Sequence, residues 1–227
     1  MFERQISLIG EDNLAKIQKQ TVALIGLGGV GGYALETLVR SGIQNLIIVD
    51  YDTIDLTNLN RQIITTQNNI GQKKVTEAQK RALTINPLLN IIPLDLYLNE
   101  ENFEELFKYH IDYIIDACDS INTKKMLIKE ASNRNIKLIS CMGTGNKLDP
   151  SLLKITTIDK TSYDPLAKII RKYIKDNKLS TKLPVVASTE PPIKTQSPHI
   201  SSISYVPAYA GLLLTKYIID DIIHTKE

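Results

Sequence analysis

The fold of this 227-residue chain is decided by the stretch Val22-Ala23-Leu24-Ile25-Gly26-Leu27-Gly28-Gly29-Val30-Gly31. Its first four residues form a short apolar run that predicts a buried strand, and a helical pattern follows at 30–39. Glycines allow the backbone to come close to a phosphate, and a helix N-terminus offers N–H donors with a partial positive charge. This order predicts a nucleotide site that includes Gly26, Gly28, Gly29 and Gly31. A tight structural turn is the alternative for the glycines alone.

The same alternation of strand, turn and helix continues along the chain. Short apolar runs predict four more strands, at 46–49, 90–94, 112–117 and 137–141. Helical patterns lie between them, at 71–83, 100–107 and 122–133. Continuous apolar strands that alternate with helices are typical of a parallel sheet covered on both faces. We therefore expect an α/β fold with a Rossmann-like, doubly wound, mostly parallel sheet.

The character of the sequence changes near Pro150, where a C-terminal elaboration begins. It contains a candidate strand at 153–158, an amphipathic helix at 164–176, a Pro- and Ser-rich loop at 189–202 and an apolar stretch at 205–219. The apolar stretch carries small residues, which suit a packing or dimer helix. We expect a nucleotide-binding core over residues 1–150 and an elaboration over residues 151–227, within one continuous domain.

Composition excludes several classes of protein. Hydrophobic residues make up 43% and charged residues 23% of the chain, a globular balance that excludes disordered and fibrous proteins. The formal net charge is only +2, and this total gives no reason to expect a nucleic acid partner; DNA in particular is not expected. Two cysteines exclude a disulfide scaffold and a four-cysteine zinc site, and they fit a reducing compartment. With no signal peptide and no apolar run of about 20 residues, we expect a cytoplasmic protein without membrane association.

Polar residues after the second predicted strand indicate which nucleotide is bound. Asp50 ends that strand, where a carboxylate can bind ribose hydroxyls. A long polar loop with Arg61 follows, and Lys74 begins the next helix. An NAD pyrophosphate needs little beyond backbone donors, whereas a triphosphate attacked at its α-phosphorus needs cations on the leaving pyrophosphate. Arg61 and Lys74 together favour ATP, although each alone is typical of an ordinary surface charge.

In combination, these motifs resemble those of the ubiquitin-activating-type (ThiF/MoeB/HesA) adenylating enzymes. The matching residues are Arg4-Gln5, the glycine turn, Asp50-x-Asp52, Asn58-x-x-Arg61-Gln62, Gly71-x-x-Lys74 and Asp116-x-x-Asp119. The resemblance implies an ATP-binding adenylation core over residues 1–150. In this family, the residues matching Asp50 and Asp52 belong to the nucleotide site, with Asp50 on the ribose.

The resemblance also implies the catalytic residues. Asn58, Arg61 and Lys74 would hold the phosphates, and Asp119 would bind Mg²⁺, a metal that prefers oxygen ligands. The position of Asp119 after a predicted strand supports this independently, because ligands bind at the carboxyl ends of parallel strands. Arg4 would reach the phosphates of the partner subunit's site, which implies a homodimer.

Further segments resemble the tRNA threonylcarbamoyladenosine dehydratase branch of the family. They lie at 140–150, 160–168 and 188–192. Branches that activate small sulfur-carrier proteins commonly carry two Cys-x-x-Cys pairs, which Cys118 and Cys141 cannot form. The resemblance implies an ATP-dependent enzyme that adenylates the threonyl carboxylate of a modified adenosine next to the anticodon and then cyclises it.

Three alternatives are activation of a ubiquitin-like sulfur carrier, an NAD(P)-dependent oxidoreductase and an ATP-gated binding module. A sulfur-transfer protein is a further candidate partner.

The amphipathic helix gives an independent indication of tRNA. At 100° per residue its apolar face contains Leu166, Ile169, Ile170, Tyr173 and Ile174. Its basic face contains Lys168, Arg171, Lys172 and Lys175. A basic stripe over a packed apolar face can bind a phosphate backbone, and a solvated lysine face is the alternative.

The cysteines and histidines carry less information. Each cysteine ends a predicted strand, and we expect both to be buried and reduced. A thioester nucleophile is the alternative, but it would need a lowered thiol pKa. The histidines at 110, 199 and 224 have no ligand spacing, and we assign them no role.

Overall fold

The computed structural model describes residues 1–196 and 199–225. Seven strands form one sheet in the order β3-β2-β1-β4-β5-β7-β6. The strands are β1 (Thr21–Ile25), β2 (Asn45–Asp50), β3 (Asn90–Asp95), β4 (Tyr113–Asp116), β5 (Lys137–Cys141), β6 (Leu153–Thr157) and β7 (Pro184–Ser188). All neighbouring pairs are parallel except the edge pair β6 and β7. The predicted mostly parallel α/β sheet is confirmed.

Helices cover both faces of this sheet. They are α1 (Glu3–Ile9), α2 (Glu11–Lys19), α3 (Gly31–Arg40), α4 (Lys74–Ile85), α5 (Glu104–Phe107), α6 (Ile121–Arg134), α7 (Pro165–Asp176) and α8 (Tyr205–His224). Side chains of α3, α4 and α8 pack into one hydrophobic core, and side chains of α5, α6 and α7 pack into the other. The sheet is therefore buried on both faces, as its continuous apolar strands predict.

Four elements differ from the sequence prediction. Helix α5 has four residues, whereas the pattern predicts a helix over 100–107. The side chain of Asn99 accepts hydrogen bonds from the backbone N–H groups of Glu101 and Asn102 and so competes with helix formation. Strand β7, of which only Val185 and Val186 stand out in the sequence, lies between β5 and β6. The N-terminal helices α1 and α2 are not predicted either.

Helix α8 is the predicted apolar C-terminal helix, and it packs closely on α3. A Cβ atom at Gly211 would lie 2.5 Å from the carbonyl oxygen of Val30, so only glycine permits this approach. Within the described residues, no helix has the length and apolarity needed to cross a membrane. The Pro- and Ser-rich loop leads from β7 to α8, and its residues 197 and 198 lie outside the described residues.

Candidate nucleotide-binding and catalytic site

A cleft of about 780 Å³ lies at the carboxyl ends of β1, β2, β4 and β5. Most of the residues predicted to bind the nucleotide line it, namely Gly26, Gly28, Gly29, Asp50, Asp52, Asn58, Arg61, Lys74 and Asp119. Gly31 and Arg4 are the two predicted residues of the site that do not line it. The tertiary structure thus brings together nine residues that are spread over nearly a hundred positions of sequence.

The glycine turn owes its shape to two of its residues. Gly26 has a φ of +91°, which favours glycine, and an added Cβ would lie 2.9 Å from the backbone of Ala117. An added Cβ at Gly31 would lie 1.8 Å from the carbonyl oxygen of Gly26. Gly31 therefore allows the backbone of the turn to approach this closely, and it does not line the cleft.

Asp50 is fixed by the backbone of both neighbouring loops. Its carboxylate accepts hydrogen bonds from the N–H of Leu27 at 2.6 Å and from the N–H of Asp52 at 2.9 Å. Burial raises the pKa of Asp50, and the ammonium of Lys74 opposes that shift. Each carboxylate oxygen keeps a free lone pair for a ribose hydroxyl.

Lys74 is a buried cation at the first turn of α4. Lys74 is only 5% exposed, and its Nζ atom lies 2.7 Å from a carboxylate oxygen of Asp52. The backbone N–H of Lys74 also donates to the carbonyl of Asp52. A buried ammonium needs such a partner, and this role for Asp52 is not evident from the sequence. Both members of this ion pair line the cleft.

The segment after Asp52 places two amides and a guanidinium in the cleft. Asn58 is buried, and its side-chain oxygen accepts a hydrogen bond from the backbone of Asp55 at 3.1 Å. Arg61 donates to the carbonyl of Thr57 at 2.9 Å and remains partly exposed. Gln62 is 5% exposed, and its Oε1 atom has no hydrogen-bond partner among the described residues. A buried polar atom without a partner in a cleft wall indicates a polar ligand.

A fully buried ion pair fixes the loops on which Asp119 stands. The Nζ atom of Lys124 lies 3.0 Å from both carboxylate oxygens of Asp116 and 2.9 Å from the carbonyl oxygen of Cys141. Ser140 donates to the same carboxylate at 2.5 Å. This network joins the ends of β4 and β5 to α6, and Asp119 projects from the β4–α6 turn as an exposed carboxylate. The role of Lys124 is not predicted from the sequence. The only indication of it there is that this lysine lies on the buried side of a predicted helix.

The environment of the cysteines disfavours a thiol nucleophile. Burial raises the pKa of Cys141 to about 12, and burial together with the charge of Asp116 raises the pKa of Cys118. Because the thiolate is the reactive form, neither residue is activated at neutral pH.

A divalent cation fits beside Asp119 only with help from phosphates. Within the described residues, no group of three or more His, Cys, Asp or Glu side chains could hold a metal. Mg²⁺ is commonly bound by one or two carboxylates together with water and substrate phosphates. An exposed carboxylate next to a phosphate-binding turn matches that donor set.

The rest of the cleft has a second wall, which we call the outer wall. It consists of Pro165, Leu166 and Ile169 from α7 together with Pro192 and Ile200. The loop at 143–146 forms its floor. Asp164 is buried and joins the floor to α7, because it accepts hydrogen bonds from the N–H of Gly143 at 2.7 Å and of Ala167 at 3.1 Å.

Helix α7 departs from its predicted faces at two positions. Lys168, Lys172 and Lys175 are exposed as predicted. Arg171 is partly buried and donates to the carbonyl of Thr161 at 3.0 Å, so its guanidinium is already engaged. Ile169 is 40% exposed and not packed in the core, because the cleft opens on its side of the helix.

Arg4 lies on α1 as an exposed side chain and, as noted, is not part of the cleft wall. The structure contains a single subunit, whereas the resemblance assigns Arg4 to the site of a partner subunit. The role of Arg4 therefore stays a prediction.

Comparisons with known proteins agree with this geometry. A family model described as "ThiF family" matches residues 2–222. The tRNA threonylcarbamoyladenosine dehydratase of Bacillus subtilis (strain 168) is 37% identical over 244 residues, which cover 100% of this chain and 96% of that protein. The molybdopterin-synthase adenylyltransferase of Haemophilus influenzae is 29% identical over 176 residues, which cover 76% of this chain and 71% of that protein.

Solved structures give the same result. The E. coli tRNA N6-threonylcarbamoyladenosine dehydratase TcdA in complex with ATP has a TM-score of 0.91 and 29% identity, covering 98% of this chain and 93% of that chain. Its complex with AMP has the same TM-score of 0.91 and 29% identity, covering 97% and 92%. The chain belongs to the ThiF family and, within it, groups with the proteins named tRNA threonylcarbamoyladenosine dehydratase.

Proposed function

We propose that this protein is an ATP-dependent dehydratase that acts on threonylcarbamoyladenosine in tRNA, next to the anticodon. The observation that carries the proposal is one continuous cleft, in which the glycine turn, Arg61 and Lys74 line one side and the outer wall beside a lysine-rich helix lines the other. The names and bound nucleotides of the similar proteins support it. A site for NAD alone would leave the buried Lys74 without a function.

The reaction has two steps, and the protein contributes alignment and charge. The threonyl carboxylate attacks the α-phosphorus of ATP, an O–P bond forms, and pyrophosphate leaves. An internal nucleophile of the same side chain then attacks the activated carbonyl, loses its proton to solvent and expels AMP. The carboxylate is already ionised at neutral pH, so the first step needs no strong base.

The cleft residues divide this work. Asp50 binds the ribose hydroxyls, and the glycine turn offers its N–H groups to the phosphates. Asn58, Arg61 and Lys74 hold the phosphates and stabilise the charge on the departing pyrophosphate. Asp119 would bind Mg²⁺, which would supply positive charge to neutralise the phosphates.

We further propose a homodimer in which Arg4 completes the site of the other subunit. Helix α1 packs on α2 and α2 packs on α8. Tyr205, Tyr209 and Leu212 of α8 and Leu8 of α1 are apolar residues that remain exposed in one subunit. Exposed apolar side chains of this size suit an isologous interface.

The cytoplasm is the proposed location, because both cysteines are free. Free thiols persist in a reducing compartment.

The experiment is a nucleoside assay. The protein is incubated with ATP, Mg²⁺ and tRNA that carries threonylcarbamoyladenosine, and the digested nucleosides are analysed by mass spectrometry. We expect a product lighter by one water, with release of AMP and pyrophosphate. Absence of this product, while a known dehydratase converts the same tRNA, contradicts the proposal.

Activation of a sulfur-carrier protein is the second candidate, favoured by the similarity to the molybdopterin-synthase adenylyltransferase. It predicts pyrophosphate exchange that depends on a carrier protein and ignores tRNA. The chain lacks the four cysteines of the zinc site that is common in carrier-activating relatives, which weighs against this candidate.

A further inference from the structure

The outer wall of the cleft contains two apolar side chains that face solvent beside the lysines of α7. Ile169 is 40% exposed and Ile200 is 80% exposed, and both line the cleft. Such exposure leaves apolar surface in water, and its burial by a ligand would be favourable. Neither side chain packs in the hydrophobic core, so core packing does not explain why these two residues are apolar.

The position of Ile200 is held by hydrogen bonds on its neighbour. The backbone N–H of Ser201 donates to the side chain of Asn146 at 2.8 Å, and the N–H of Asn146 donates back to the carbonyl of Ser201 at 2.8 Å. A Cβ atom at Gly145 would lie 2.2 Å from the Cγ2 atom of Ile200. The floor of the cleft therefore carries glycine where this side chain crosses it.

Ile169 borders the basic stripe of α7. The residues exposed on this side of the helix are Pro165, Lys168, Ile169, Lys172, Lys175 and Asp176. With a rise of about 1.5 Å per residue, Lys168 and Lys172 lie within about one helical turn of Ile169 along the axis. A path for a phosphate backbone thus begins where the apolar wall of the cleft ends.

We propose that the outer wall is a nucleobase site, in which Ile169 and Ile200 contact the adenine ring that carries the reacting side chain. This inference rests on the proposed function. The reacting carboxylate must reach the α-phosphorus inside the cleft, so the base to which its side chain is attached lies at the exposed end. The lysines of α7 hold the adjoining phosphates. Bases extruded from RNA are commonly held between aromatic or apolar side chains in this way.

The test compares variants of the two isoleucines in the nucleoside assay. Ile169→Ser and Ile200→Ser should each raise the KM for modified tRNA about tenfold, while the KM for ATP stays within twofold of wild type. Ile169→Met, which keeps apolar area, should retain the wild-type KM. Leu88→Ser is the matched control, because Leu88 is 85% exposed and does not line the cleft.

Ile169→Lys separates base contact from simple charge attraction. If Ile169 only borders a phosphate-binding surface, an added cation lowers the KM for tRNA and steepens its salt dependence. If it contacts a base, the KM rises despite the added charge, and that is the expected result. The inference is overturned if Ile169→Lys lowers the KM for tRNA, or if both serine variants keep the wild-type KM. In either case the proposed function stands as long as the wild-type protein turns over. Absence of turnover in the wild type overturns both.

Discussion

Lys74 places a buried ammonium in the cleft wall, and we propose that it stabilises charge on the phosphates. We expect Lys74→Ala to lower the rate of adenylation by about 100- to 1000-fold, as the loss of one charge-stabilising donor does in other enzymes. Binding of tRNA should survive, since the lysines of α7 are untouched. Single-turnover kinetics and a tRNA binding assay measure the two effects.

The adjacent lysine provides the control for this prediction. Lys73 donates to Asp95 at 3.0 Å and to the carbonyl of Tyr51 at 3.1 Å, and its side chain is 44% exposed. Lys73→Ala should change the rate less than threefold, since exposed ion pairs contribute little. Equal losses in the two variants contradict the role given to Lys74.

Lys124 is the second residue whose charge has a specific consequence. Lys124→Met leaves Asp116 buried with no counterion, and we expect the free energy of unfolding to fall by about 3–5 kcal/mol. Lys129→Met is the control on the same helix, because Lys129 is exposed. Urea denaturation of both variants measures the difference. A loss below 1 kcal/mol for Lys124→Met, roughly the value of an exposed pair, shows that the network is not a stabilising one.

At the scale of elements, α7 makes a prediction about salt. Replacing Lys172 and Lys175 by Gln should weaken tRNA binding and reduce the slope of log K against log salt by about 1.5, since each phosphate contact contributes about 0.7–0.9. Lys80 on α4 and Lys108 directly after α5 are exposed lysines away from α7, and their double Gln variant is the control. Titrations at several salt concentrations measure the slope, and an unchanged slope removes α7 from the tRNA surface.

The C-terminal half of α8 makes a prediction about pH. Asp221 accepts hydrogen bonds from Lys137 at 2.6 Å and from Tyr113 at 2.7 Å, at the starts of β5 and β4. Partial burial acts to raise the pKa of Asp221, but these hydrogen bonds outweigh it and lower the pKa below its ordinary value of 3.8. The ionised carboxylate therefore stabilises the fold above that value, and this stability is lost as the pH falls through the lowered pKa.

Asp221→Asn should accordingly lower the free energy of unfolding by about 1–2 kcal/mol at neutral pH. The difference from wild type should shrink as the pH falls through the lowered pKa of Asp221, because the wild-type carboxyl then becomes neutral as well. Asp220→Asn is the neighbouring control, since Asp220 is partly exposed and pairs with the exposed Lys216. Denaturation at several pH values measures this, and a difference that persists in acid contradicts the assignment.

Elements with strong periodicity could be predicted from the sequence, and elements that depend on distant partners could not. The five predicted strands of residues 1–150 are confirmed, because each is a continuous apolar run. Strand β7 is missed because its identity as a strand depends on pairing with β5 and β6. Helix α5 is shortened by asparagine side chains that bind the backbone locally.

At the scale of the whole molecule, the proposed homodimer predicts that two defective subunits can complement each other. If Arg4 acts in the partner's site, a heterodimer of Arg4→Ala and Lys74→Ala subunits has one site with both cations intact. Random mixing should then restore about a quarter of wild-type turnover, because half of the dimers are mixed and each has one active site.

The mixed sample should be compared with each variant alone under the same refolding or exchange conditions. The control is a mixture of Lys73→Ala and Lys74→Ala subunits. Its activity comes from the intact sites of the Lys73→Ala subunits and needs no complementation between subunits. No recovery in a sample shown to contain mixed dimers rules out a shared site. The domain boundary near residue 150 remains a prediction, although β6 and β7 continue the sheet of β1–β5.

The sequence by itself determined the parallel α/β sheet, the glycine turn and the order of the motifs, because apolar periodicity and backbone freedom are local properties. It also placed Asp50, Lys74 and Asp119 at strand or helix ends, which the structure brings to one cleft. Only the tertiary structure decided that Asp52 partners Lys74 and that Lys124 lies buried against Asp116. It alone turned Ile169 toward the cleft, because burial and ion pairing depend on which distant segments pack against a residue.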